Sequence, residues 1–120
     1  MTTEYFFDTY AIVELLDKNP AYAMYNGAQI RFTRLNVFEF YFFLLRQRGE
    51  TAADSFISRA RTLTVEYDDR TIAAAAKVKL VNRQISMTDA IGYVTALRLG
   101  VKFLTGDKAF KGMRNVEWVR

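Results

Sequence analysis

The side chains best suited to chemistry in this sequence are four carboxylates: Asp8, Glu39, Asp89 and Asp107. Each stands where the local pattern starts a helix, and three of them follow or interrupt strongly apolar sequence. Carboxylates repel one another, so a group gathered at one point requires a cation. The chain contains no histidine and no cysteine. That removes the usual zinc ligands, imidazole acid–base catalysis and thiol nucleophiles. What remains is oxygen-ligand chemistry, which suits Mg2+ or Mn2+.

The elements that must position these acids can be read from periodicity. Short apolar runs at 5–7, 29–33, 63–67, 102–104 and 116–119 predict five strands. Helical spacing or helix boundary signals predict helices over 9–17, 36–48, 51–61, 71–81 and 86–99, with short helical turns at 21–25 and 107–110. Asn19-Pro20, Gly49 and Gly100 mark helix ends. Strands alternating with helices imply an α/β fold of three layers, with a central, mostly parallel five-stranded sheet covered on both faces. In such sheets ligands bind at the carboxyl ends of strands, near the point where strand order reverses. Asp8 ends the first strand and Asp107 follows the fourth, so both belong on that edge. Glu39 and Asp89 lie in the first turns of their helices and can be aimed at it.

Each acid also has a plain structural reading. Asp8 and Asp107 suit helix N-caps, and Asn36-x-x-Glu39 and Ser86-x-x-Asp89 resemble capping boxes. Asp68 and Asp69 read the same way, as caps for the helix near Thr71. Apolar context separates the site acids from simple caps. Glu39 is flanked by Val37, Phe38, Phe40 and Tyr41, and Asp89 precedes Ala90, Ile91 and Gly92. Burying a carboxylate in such surroundings is costly without a partner. Capping can account for any one of the four, but a metal accounts for all of them.

Composition narrows the setting. A chain of 120 residues with 51% hydrophobic and 15% aromatic residues fits one folded domain over 1–120 and argues against disorder. The beginning of the chain carries no signal-peptide pattern, and no apolar run is long enough for a bilayer. With the lack of cysteine, this predicts a cytoplasmic protein without membrane attachment. The net charge of +4 favours an anionic partner, most simply nucleic acid. Arg31, Arg34, Lys108, Lys111 and Arg114 are the basic residues nearest the predicted edge, though each also fits ordinary solvated charge.

The ordered set of motifs resembles the PIN-domain ribonucleases, most closely the VapC-type toxins of type II toxin–antitoxin modules. It comprises strand-Asp8-Thr9, then Glu39 in an apolar helix, Ser86-x-x-Asp89-Ala90, and Thr105-Gly106-Asp107-Lys108-x-Phe110. The resemblance runs from Phe6 to Trp118. It implies Asp8, Glu39, Asp89 and Asp107 as catalytic metal ligands, with Thr9 and Thr105 in support. It further implies an Mg2+- or Mn2+-dependent endoribonuclease that uses activated water on single-stranded or loop RNA and leaves a 5′-phosphate. An antitoxin protein and a second copy of the chain are the implied partners. Tyr10 departs from the pattern, since smaller residues are common beside the first ligand.

Other functions fit less well. A housekeeping RNA-processing nuclease and a catalytically inactive binding module share the fold, although retention of all four acids argues against the second. A receiver-like domain would need an acidic pair after the first strand, where Phe7-Asp8-Thr9 offers one acid. The segment from Phe38 to Leu45 is apolar around most of its helix. Either the fold encloses it, or one face meets a partner.

Overall fold

A computed structural model describes residues 2–120. Four strands, β1 (Glu4–Phe7), β2 (Gln29–Arg31), β3 (Lys102–Thr105) and β4 (Val116–Trp118), form one sheet in the order β2-β1-β3-β4. All three pairings are parallel, with Phe6 opposite Arg31 and Phe7 opposite Leu104. The helices are α1 (Thr9–Leu16), α2 (Arg34–Arg48), α3 (Glu50–Ala60), α4 (Asp69–Val81) and α5 (Met87–Leu99). Short 3-10 turns occupy Pro20–Tyr25 and Lys108–Phe110. The parallel α/β layering matches the expectation from sequence.

The expected fifth strand at 63–67 is the exception. It shrinks to one parallel bridge between Phe32 and Thr64, made by the Phe32 amide to the Leu63 carbonyl at 3.3 Å and the Val65 amide to the Phe32 carbonyl at 2.8 Å. The reason lies in the neighbour. β2 has three residues, and the chain turns into α2 at Arg34, leaving no further edge to pair with. Downstream, Asp68 is already committed to capping α4.

Packing fixes the strands against their helices. Phe6 and Phe103 are adjacent on one face and fully buried, with ring centroids 5.7 Å apart. α5 lies close against them because Gly92 has no side chain; a Cβ there would sit 2.8 Å from the Phe6 ring. Phe7 and Leu104, the next residues along, point to the opposite face by the two-residue alternation of strands, and both are wholly buried. α1 packs near that pair of strands.

The apolar α2 has two different sides. Val37, Phe40 and Leu44 are buried, whereas Phe38, Phe42 and Leu45 are exposed. The exposed set recurs at helical spacing and forms a stripe. Arg46 covers part of it, its guanidinium 5.0 Å from the centre of the Phe42 ring. Among the described residues, no helix is long and apolar enough to cross a membrane.

Candidate active site

After β1 the chain goes to β2 on one side, and β3 then joins on the other. The strand order therefore reverses between β1 and β3, and a crevice opens there at the carboxyl ends. Asp8 leaves β1 at this point and Thr105 ends β3. The Asp8 amide donates to the Leu104 carbonyl at 3.2 Å, and the Thr105 hydroxyl donates across the crevice to Asp8 Oδ2.

A cavity of about 430 Å³ opens here, and all four acids line it together with Thr9, Tyr10, Ser86, Gly106 and Lys108. Each acid arrives from a different element. Asp8 caps α1, its Oδ1 accepting from the Ala11 amide at 2.8 Å. Asp107 caps the last 3-10 turn, accepting from the Ala109 amide at 3.0 Å. Ser86 caps α5 by accepting from the Asp89 amide at 3.0 Å, which places Asp89 in the first turn. Glu39 comes from α2 and is held by Thr9, whose hydroxyl donates to Oε1 at 2.7 Å. Thr105 has a second task, since its Oγ1 accepts from the Asp107 amide at 3.0 Å.

The Asn36-x-x-Glu39 capping box does not form. Thr33 precedes the first turn of α2, and Asn36 is its reciprocal partner: Asn36 Oδ1 accepts from the Thr33 amide at 3.0 Å and from the Thr33 hydroxyl at 2.9 Å. The Asn36 amide group then donates to Thr9 Oγ1 at 3.2 Å. Glu39 is thereby released from backbone duty and held through a chain running Thr33, Asn36, Thr9, Glu39. Asn36 is buried and belongs to the site, a role that the sequence reading missed. The available signal was Thr33-x-x-Asn36, an alternative capping pattern in the same segment.

The electrostatics are those of negative charge without compensation. Burial, then the neighbouring Asp89, push the Asp8 carboxyl up to about 8, and Asp107 adds to this; the bonds from Thr105 and Ala11 oppose it. Burial also raises Asp89, to about 6, with Glu39 and Asp107 as the repelling neighbours and the Ser86 hydroxyl opposing. Among the described residues, ion pairs join Arg31 to Glu4, Arg48 to Asp17 and Arg98 to Asp68. None of them involves the four site acids.

A family model described as PIN domain matches residues 5–116. This chain belongs to the PIN-domain family. Two solved structures share the PIN fold with it. One is a toxin–antitoxin complex from Klebsiella pneumoniae, with a TM-score of 0.76, 15% identity, and coverage of 94% of this chain and 95% of the other. The second is VapBC2 from Rickettsia felis bound to a promoter DNA fragment, with a TM-score of 0.69, 13% identity, and coverage of 98% and 100%. No curated protein sequence matches the chain. PIN domains are nucleases, a class of hydrolases.

The donor set of this PIN domain suits a hard divalent cation: oxygen ligands only, several of them anionic, on rigid elements. Asp8 keeps free lone pairs on both oxygens, because a carboxylate offers about four acceptor positions and two are engaged by Ala11 and Thr105. Among the described residues, no three carboxylates are drawn close enough to form a ready-made ion cage. Mutual repulsion and the Thr9 bond to Glu39 favour that spacing. Of the basic candidates, Lys108 lines the acidic cavity and Lys111 the neighbouring one. Arg31, Arg34 and Arg114 line neither, and Arg31 is paired with Glu4 at 2.5 Å.

Proposed function

We infer that this PIN domain is an Mg2+- or Mn2+-dependent endoribonuclease cleaving single-stranded or loop RNA, and that it acts as the toxin of a toxin–antitoxin pair. The observation that carries this reading is the convergence of Asp8, Glu39, Asp89 and Asp107 on one crevice, where, among the described residues, no cationic side chain forms an ion pair with any of them. Asp8, Glu39 and Asp89 would hold the ion, with Asp107 at its edge. A bound divalent ion supplies Lewis-acid activation of water and neutralises phosphate charge. The chain's own residues do the positioning. Thr105 and the start of α1 fix Asp8; Asn36 and Thr9 fix Glu39; Ser86 fixes the turn that carries Asp89. A carboxylate not engaged with the cation is the available proton acceptor, since the chain has no histidine.

Both structural neighbours come from toxin–antitoxin systems, which supports an antitoxin partner. The exposed stripe of Phe38, Phe42 and Leu45 supplies apolar surface for that partner or for a second copy of the chain in a homodimer. The activity test is direct. RNA is cleaved with Mg2+ or Mn2+ and not with EDTA, and Asp89→Asn removes the cleavage while leaving a cooperative melt. Cleavage at the wild-type rate in EDTA, or by Asp89→Asn, overturns the reading.

A further inference from the structure

Next to the acidic crevice lies a second cavity of about 460 Å³, lined by Tyr10, Gly106, Lys108, Lys111, Trp118 and Arg120. Its lining differs from that of its neighbour: three basic side chains, two aromatic rings and, among the described residues, no acidic side chain. The two cavities share Tyr10, Gly106 and Lys108. The segment Gly106-Asp107-Lys108 is thus a common wall, with Asp107 lining the acidic side only, Lys108 and Tyr10 reaching both, and Lys111, Trp118 and Arg120 on the far side.

That wall is built. The Trp118 indole N–H donates to the Asp107 carbonyl at 3.1 Å, which ties the ring to the loop that carries the acid. The Tyr10 ring lies against Gly106, where a Cβ would come within 2.3 Å of the ring and 2.6 Å of the Val119 carbonyl. The Val119 carbonyl is itself fixed by the Tyr22 hydroxyl at 2.8 Å. Lys111 extends its ammonium to 4.7 Å from the centre of the Trp118 ring. Such a contact is weak where solvent reaches it, and the four-carbon stem lets the charge move to a better anion.

We propose that this recess, which Tyr10 also lines, is a nucleotide subsite, in which one base of single-stranded RNA stacks on Trp118 while Lys108, Lys111 and Arg120 hold the flanking phosphates. Aromatic platforms beside a basic groove are how proteins hold single strands without reading sequence, because every base presents a flat face. The volume is in the range of about 300–1,000 Å³ common for ligand sites. A strand seated here is delivered to the acids across the shared wall. Double-stranded RNA does not fit, since its bases are already stacked on one another. Tyr10, which departs from the smaller residues common at that position, is thereby given a task. The subsite rests on the nuclease reading for its RNA, and binding measured without cleavage separates the two.

Trp118 is the only tryptophan in the chain, so its fluorescence reports on this recess. A short single-stranded RNA titrated into the wild-type protein in EDTA at low salt is expected to quench it, and a duplex of the same length is not. Anisotropy of labelled single-stranded RNA should show binding about tenfold weaker for Trp118→Ala, the scale of one lost base stack, and near-normal binding for Trp118→Phe. Lys111→Gln should bind more weakly and show a shallower salt dependence. Melting curves check that each variant is folded. Absence of quenching by single-stranded RNA, equal quenching by the duplex, or unchanged affinity of folded Trp118→Ala overturns the proposal. Cleavage without quenching removes the subsite and leaves the nuclease reading. Quenching by a protein that cleaves under no cation removes the nuclease reading and leaves the subsite.

Discussion

The starts of α1 and α4 use the same device in different surroundings. At each, an aspartate caps the helix: Asp8 accepts from the Ala11 amide at 2.8 Å, and Asp68 from the Thr71 amide at 3.0 Å. Each also accepts from a threonine hydroxyl, Thr105 in one case and Thr71 in the other. Asp68 is solvated, with Arg98 3.6 Å away, and the Thr71 bonds hold its carboxyl below the usual range. Asp8 is buried beside Asp89, and its carboxyl is pushed up to about 8. The same cap, an aspartate Oδ1 accepting from the amide three residues on, therefore goes with carboxyl shifts of opposite sign. A cap completed by water and an arginine is finished as it stands. A cap buried among other acids lacks a positive charge, and that deficit marks a candidate metal site.

The largest effect should separate these two caps by activity. Asp8→Asn keeps the shape and removes the charge, and RNA cleavage should fall by about 100-fold or more, since loss of even an outer-shell partner of a metal ligand costs roughly 10–100-fold. Asp68→Asn should cleave at the wild-type rate. Equal rates for wild type and Asp8→Asn would make Asp8 a cap and no more. Asp107→Asn is expected to lose less, because an amide oxygen can still accept a hydrogen bond at the edge of the site.

The second test uses pH, and the two caps should respond with opposite sign. The folded-state values of Asp8 and Asp89, about 8 and about 6, lie above the ordinary 3.8. Between 3.8 and those values the folded protein holds protons that the unfolded chain has released. Their contribution to stability is thus full below 3.8 and is lost as pH rises through 6 and then 8. The metal-free protein should melt lower at pH 8.5 than at pH 5.5, by roughly 5 °C or more. Asp8→Asn should flatten the upper part of that fall, and Mg2+ should raise the melting temperature more at pH 8.5 than at pH 5.5. Asp68, shifted down, contributes stability above the usual carboxylate range that is lost as pH falls below it. An apo melting temperature that climbs from pH 5.5 to 8.5 would show that the four acids are not electrostatically crowded.

A third measurement concerns Asn36. Asn36→Ala leaves buried groups of Thr33 without a partner, and should cost about 1–3 kcal/mol in denaturant unfolding. Cleavage should also fall, about tenfold, because Glu39 loses the support that reaches it through Thr9 (one tenfold step is about 1.4 kcal/mol). Loss of stability with full activity would confine Asn36 to the fold. The smallest effect belongs to Asp68→Ala: a slight drop in melting temperature, with cleavage untouched.

Asp8, Asp89 and Asp107 lie at helix starts as expected, whereas Glu39 falls in the second turn of α2, because the helix begins at Arg34 and not at Asn36; its apolar flanks were the signal that singled it out. The helices were legible to within a few residues, since their capping residues and glycine stops are local. The strand expected at 63–67 failed because alternation describes what a strand can bury, not whether a neighbour is long enough to pair with it. Asn36 was misassigned because two capping patterns overlap between Thr33 and Glu39, and only the contact with Thr9, 27 residues away, decides between them. Tyr10 and Trp118 went unconnected for the same reason. Nothing in a linear pattern joins positions at opposite ends of the chain.

That separation has a consequence for how the protein is made. The bond from Thr105 to Asp8 closes over 97 residues, and β1 meets β3 only after most of the chain exists. During synthesis, which proceeds from the N-terminus at roughly 5–20 residues per second, β1 and β2 can pair early while the crevice has one wall. No order of events on the ribosome can assemble the four acids before residues 102–107 have been added. A nuclease site resting on these four acids would therefore stay incomplete while the chain is shorter than residue 107, however early β1 and β2 come together.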